Sequence, residues 1–152
     1  MKLADALDCD RVVLDLSAGD KVAALRQLLR VAGATLELTD TAPLLQRVLD
    51  REAICSTAVN WGVAIPHARS PEIDGVVASL GIHRAGLDYG SPDGEPVHLI
   101  FLVLSSEIAT PAYLSVLGRT ARIFHREEMR RRVLDAASPA DIIRAIADEE
   151  PA

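Results

Sequence analysis

Four histidines occur in the sequence, and one of them stands where a nucleophile could be built. His67 follows Val63, Ala64, Ile65 and Pro66, a short apolar strand that is predicted to stop at the proline and deliver an imidazole at its end. Strand ends in α/β sheets are where sites are assembled. Pro66 lacks a backbone donor and fixes its own φ, so the chain just before the imidazole is stiff. Neutral imidazole is a competent nucleophile near pH 7, because its ordinary pKa of about 6.5 leaves most of it deprotonated there. Arg51, Ser56 and Thr57 precede it. A guanidinium matches phosphate geometry and hydroxyls donate to phosphate oxygens. These pieces suit capture of a phosphoryl group, although Ser and Thr equally suit a turn after a helix end. The residues alone leave both readings open.

The other histidines read as structural or surface groups: His98 inside an apolar strand, His83 at a strand end beside Arg84, and His125 among Arg126, Glu127 and Glu128. No set of His, Cys, Asp or Glu has a ligand spacing, so neither metal nor organic cofactor is expected. Cys9 and Cys55 lie far apart and read as reduced thiols of a cytoplasmic protein. The net charge of −6, with only the short basic run Arg130, Arg131 and Arg132, argues against nucleic acid as a partner. That run reads as the solvated face of a helix.

The elements that must position these groups are legible in the periodicity. Ser17 to Asp20 caps a helix whose stripe is Val22, Leu25, Leu28, Leu29 and Ala32, and Thr39 or Asp40 caps a second running to Arg51. Short apolar, partly β-branched runs at Val76 to Ile82 and Val97 to Leu104 are strands, with Ser91, Pro92, Asp93 and Gly94 as a turn between them. The second run is apolar on both faces, which suits the centre of a covered sheet. Further strands are predicted at Val63 to Ile65 and Val12 to Leu16. Helices follow at Pro111 to Phe124, at Arg126 to Ala136, and after Ser138 with Pro139 at its first position.

The 152 residues, 49% of them hydrophobic, fit one domain of the α/β class with an aliphatic core, a sheet flanked by helices on both faces. The acidic N-terminus is no export signal, and no apolar run reaches the roughly 20 residues needed to span a bilayer.

Arg51 and Glu52, then Ser56 and Thr57, then Gly62 through His67, with a second block from Leu87 to Val97, resemble the enzyme IIA domain of the phosphoenolpyruvate-dependent sugar phosphotransferase system. The branch is the fructose, mannitol and nitrogen-regulatory one. Weaker similarity over Val13 to Leu29 and Leu134 to Ile143 extends it to a single domain over residues 1–152. The resemblance implies a mixed sheet with helices on both faces. It also implies that His67 accepts phosphate from the histidine-containing phosphocarrier protein, beside a neutralising Arg51. The further partners it offers are a IIB domain, a regulatory kinase or a transporter.

Many members carry a second histidine just before a leucine, and here that position matches Tyr113. A phenol is neutral near pH 7 and offers no imidazolium charge, which bears on onward transfer. Trp61 stands where a smaller or polar residue is expected. Flanked by Asn60 and Gly62 it reads as a partly exposed turn residue, and with Arg69 it is assigned to the partner-facing rim. With no IIB or transport segment in this sequence, the expectation is a phosphotransferase of the nitrogen-regulatory type. The alternatives are a regulatory binding module of the same fold that acts without phosphorylation, which Tyr113 favours, and an unrelated α/β protein in which Pro66 and His67 only make a turn.

Overall fold

Apolar residues occupy every position from Leu99 to Leu104, so a strand there must be covered on both faces. The computed structural model describes residues 1–151. Its elements run α1 (Leu3–Ala6), β1 (Val12–Val13), α2 (Lys21–Thr35), α3 (Ala42–Ile54), β2 (Ala58–Asn60), β3 (Val63–Ala64), β4 (His67–Arg69), β5 (Val76–Leu87), β6 (Val97–Ser105), α4 (Thr110–Phe124), α5 (Glu127–Leu134) and α6 (Pro139–Asp148). The sheet order is β1-β5-β6-β3-β2, with β4 also pairing β6. β6 is therefore central. It runs antiparallel to β5 and parallel to both β3 and β4, which makes the sheet mixed.

Alternation along β6 divides the core in two. Leu99, Phe101 and Val103 pack with Val116 and Phe124 of α4, Met129 and Val133 of α5, and Ile142 and Ile146 of α6. Ile100, Leu102 and Leu104 pack on the other face with Leu25, Leu28 and Leu29 of α2 and Leu44 and Val48 of α3. Helices cover both faces, as the sequence predicts for this α/β domain. Among the described residues no helix is long and apolar enough to cross a membrane.

The caps follow local chemistry. Asp20 accepts from the Ala23 amide at 2.8 Å, and Ser138 accepts from the Asp141 amide at 3.2 Å with Pro139 next. α3 begins later than predicted, after Thr41, with Pro43 in its first turn. Asp40 accepts from the Ala42 amide at 3.0 Å. Val22, placed in the α2 stripe, is instead exposed.

Several strand boundaries differ from the sequence reading. β1 is two residues long, although the Leu16 amide still reaches the Ile82 carbonyl at 2.9 Å. β5 continues past Ile82 to Leu87, with its register shifting in between. Gly86, at φ 90°, permits that bend: a Cβ there would lie 2.8 Å from Pro96 and 3.0 Å from the His98 ring. β2 is an additional strand. It pairs antiparallel with β3 through Trp61 and Gly62, whose φ values of 55° and 79° are those of a two-residue hairpin turn.

His67 does not end β3 but opens β4, opposite Val103. The Ile65 amide turns outward to the Thr57 carbonyl at 3.0 Å, while the Pro66 carbonyl accepts from the Val103 amide at 2.9 Å. Pro66 has no N–H to give, so the ladder against β6 breaks just before the imidazole.

Candidate functional site

Ile65 faces Thr57 rather than β6, and because the Thr57 amide goes to Glu52 the Ile65 carbonyl is free to meet the side chain two residues on. His67 Nδ1 lies 2.7 Å from that oxygen. A carbonyl only accepts, so Nδ1 carries the proton and Nε2 keeps its lone pair. Burial pushes the His67 pKa below the ordinary histidine value. The Arg51 charge adds to that effect, while the Ile65 hydrogen bond and the Glu52 charge oppose it. The ring is thus a neutral, oriented imidazole at pH 7.

Alternation along β4 sends Arg69 to the same face as His67. Its guanidinium lies over the Tyr113 ring, 4.9 Å from the centroid. Tyr113, in the first turn of α4, sets its ring edge-on to His67 with centroids 5.9 Å apart. Burial pushes the Tyr113 phenol up to about 12, against the charges of Arg69 and Arg51, so it is a protonated hydrogen-bond donor at neutral pH.

Arg51, in the last turn of α3, donates to the Cys55 carbonyl at 2.8 Å. It lines two clefts that meet at His67. One, of about 410 Å³, includes Arg47, Arg69 and Tyr113. The other, of about 440 Å³, is more apolar and includes Ser56, Thr57, Val59, Leu114 and Leu117. Leu114 is 59% exposed, an apolar side chain left open beside the imidazole.

Five of the residues singled out in the sequence, Arg51, Ser56, Thr57, Arg69 and Tyr113, are therefore gathered around His67. The two hydroxyls are already engaged. Ser56 Oγ accepts from the Ala58 amide at 3.2 Å, and Thr57, which is buried, donates both its amide and its hydroxyl to Glu52. Thr57 is thus committed inward rather than toward a ligand.

Glu52 is the site residue the sequence reading missed. Its buried carboxylate also accepts from Lys21 at 3.0 Å and from the Tyr89 hydroxyl at 2.9 Å. A signal was present: Leu44, Val48 and Glu52 recur every four residues on the inward face of α3, a carboxylate on an apolar stripe.

Trp61 is not brought beside His67. It is 50% exposed, as its flanks suggested, but its ring packs edge-on against His125, with centroids 4.5 Å apart, and beneath Arg130. Gly62 beside it pairs with the His98 and Leu99 amides, whereas His67 pairs with Val103. Four to five strand residues separate them, on the order of 15 Å at the rise of a strand. His98 Nδ1 lies 3.0 Å from the His83 carbonyl and His83 Nε2 lies 2.7 Å from the Ala18 carbonyl, both structural contacts. Among the described residues no group of three or more His, Cys, Asp or Glu is gathered to hold a metal.

Residues 5–149 match the family model described as phosphoenolpyruvate-dependent sugar phosphotransferase system, EIIA 2. A PTS system fructose-specific EIIABC component of Bacillus subtilis is 31% identical over 143 residues, which is 94% of this chain but only 22% of that relative. A nitrogen regulatory protein of Bradyrhizobium diazoefficiens is 30% identical over 154 residues, covering 100% of this chain and 98% of the relative. The crystal structure of nitrogen regulatory protein IIA-Ntr from Neisseria meningitidis superposes with a TM-score of 0.88 at 27% identity, covering 95% of this chain and 98% of the other.

Proposed function

Because the chain belongs to the EIIA 2 family of the phosphoenolpyruvate-dependent sugar phosphotransferase system, we propose that it carries a phosphoryl group on Nε2 of His67. The group comes from the phosphohistidine of a histidine-containing phosphocarrier protein. The observation that carries this reading is the 2.7 Å contact of His67 Nδ1 with the Ile65 carbonyl, which leaves Nε2 as the nucleophilic nitrogen.

In the step itself the Nε2 lone pair forms a bond to phosphorus as the donor's P–N bond breaks, and the donor imidazole leaves with that electron pair. Nδ1 keeps its proton throughout and donates it to the Ile65 carbonyl, which stabilises the ring as it becomes positive. Such transfer relies on positioning and charge neutralisation. Arg51 and Arg69 supply the fixed positive charge, and the Tyr113 hydroxyl is a neutral donor to a phosphoryl oxygen. Leu114 and Val59 give the partner an apolar contact beside the transferred group.

The nitrogen-regulatory type is the branch this reading favours. Its support is the near full-length match in both directions to a nitrogen regulatory protein. A IIB domain, a regulatory kinase or a transporter is then the next partner. The test is incubation with phosphoenolpyruvate, enzyme I and the phosphocarrier: the chain gains the mass of one phosphoryl group, and His67→Ala gains none.

A second reading has one observation in its favour. Tyr113, raised to about 12, offers no second titratable cation at the site. On that reading the domain is a regulatory binding module, and His67→Ala binds and regulates its partner as well as wild type.

A further inference from the structure

Glu52 does not touch His67, yet an unbroken path of hydrogen bonds joins them. Its carboxylate accepts from the Thr57 amide, at 3.2 Å and 3.3 Å to its two oxygens, and from the Thr57 hydroxyl. The Thr57 carbonyl accepts from the Ile65 amide at 3.0 Å. The Ile65 carbonyl accepts from His67 Nδ1 at 2.7 Å. We infer that Glu52 is a positioning residue, fixing the orientation and the proton location of the His67 imidazole through Thr57 and the backbone of Ile65. Its kinetic consequence rests on reading His67 as the phosphoryl acceptor, but its effect on the ring does not.

The link is mechanical. In both Thr57 and Ile65 the N–H and the C=O belong to different peptide groups, so no polarised chain of dipoles runs through. What is transmitted is position. Without the clamp on Thr57, the short β2 pairing that receives the Ile65 amide has little else to hold it, since only Ala58 and Asn60 pair with β3. Ile65 lies between the two-residue β3 and the three-residue β4 and immediately precedes Pro66, so its placement depends on the amide bond to Thr57.

The composition of the clamp argues against a purely structural role. Glu52 sits at a position of α3 whose neighbours on the same stripe are Leu44 and Val48, where an apolar residue would pack. A buried ion pair is often no better for stability than well-packed apolar residues in its place. Here the carboxylate is served from three separate segments. Lys21 of α2 donates to Oε2 while lying 4.3 Å from the Tyr89 ring centroid, and Tyr89 and Thr57 share Oε1. That arrangement ties α2, α3, the loop before β2 and the loop after β5 to one point behind the imidazole.

The experiment is a pair of measurements on the whole chain with Glu52→Gln and Thr57→Val. Imidazole ¹⁵N correlation spectra at a pH where the ring is neutral report which nitrogen holds the proton. Wild type should show the Nδ1–H form, and both variants a mixture with the Nε2–H form. In phosphoryl transfer, kcat should fall on the order of tenfold, a modest share of what misplacement of a reacting group can cost. KM for the phosphocarrier should stay near wild type, because Glu52 is buried away from the partner. A folded variant with the wild-type tautomer overturns the inference. Should Glu52→Gln fail to fold, Thr57→Val decides the matter: it keeps the carboxylate with its Lys21, Tyr89 and Thr57 amide bonds and removes the hydroxyl bond alone, so a smaller shift toward the Nε2–H form is expected and no shift overturns the inference. If wild type takes no phosphoryl group, the proposed function fails, and the tautomer spectra still decide the role of Glu52.

Discussion

Arg69 lies over the face of Tyr113, with its guanidinium 4.9 Å from the ring centroid, and Tyr113 in turn sets its ring edge-on to His67. A guanidinium is therefore held beside the imidazole through the phenol ring. Arg69 stands two residues beyond His67 on the same strand face, so both are aimed by β4.

Removing that cation should matter more to chemistry than to folding. Arg69→Ala is expected to slow phosphoryl acceptance while lowering stability by about 1 kcal/mol or less, the size of a partly exposed cation–π contact. Transfer time courses and thermal denaturation check both halves. An unaltered rate would remove Arg69 from the phosphoryl site.

Tyr113→Phe keeps the ring and its stacking but deletes the donor hydroxyl. The phosphorylated chain should then lose its phosphoryl group faster than wild type, as followed by decay of the intact mass. An equal lifetime would mean that the phenol makes no bond to the phosphoryl oxygens. Tyr113→His goes the other way and adds a second imidazole, so its transfer rate should acquire a further pH dependence beyond that of His67, which the wild-type phenol at about 12 does not contribute.

The protonation of His67 gives a pH prediction with a definite sign. Burial lowers its pKa, so the neutral nucleophile persists below the ordinary histidine value, and the acceptance rate should rise with pH and level off below about 6.5. Between the lowered folded value and the ordinary one, the unfolded chain binds the proton more readily. The stability contribution of neutral His67 is therefore complete above the ordinary value and is lost as pH falls through that window. Arg51 contributes to the lowering, so Arg51→Ala should move the midpoint upward in an NMR titration of the ring. A midpoint at or above the ordinary value in wild type would contradict the burial argument.

Much of this site could be read from the sequence, and the exceptions have physical causes. The unbroken apolar run of β6 announced a central strand, and Pro66 announced a fixed backbone before His67. The exit of β5 to Leu87 was hidden, because it depends on Gly86 making room for Pro96 and His98 across the sheet. The helix α1 was hidden as well, since its Leu3 and Ala4 amides are met by Glu150, which lies 147 and 146 residues away. Glu52 and Trp61 were legible in principle. A glutamate on an apolar stripe calls for buried partners, and the strand between the hairpin turn and His67 carries Trp61 on the order of 15 Å from the imidazole.

Trp61 consequently serves as a control on where the phosphocarrier docks. With its ring against His125 and Arg130 at the other end of β3, its emission should not change when the donor binds at His67. Trp61→Phe should accept a phosphoryl group as wild type does. Strong quenching on docking would extend the interface across the sheet end and require a larger footprint than the clefts at His67 provide.

The most direct measurement locates the phosphorus itself. The chain, labelled with ¹⁵N in its histidines, is phosphorylated by phosphoenolpyruvate, enzyme I and the phosphocarrier, quenched at alkaline pH and examined for ¹⁵N–³¹P coupling. Because Nδ1 is held by the Ile65 carbonyl at 2.7 Å, coupling is predicted at Nε2 of His67 and nowhere else. Phosphorus on Nδ1, on another residue, or absent under conditions that phosphorylate a known IIA domain would contradict the account.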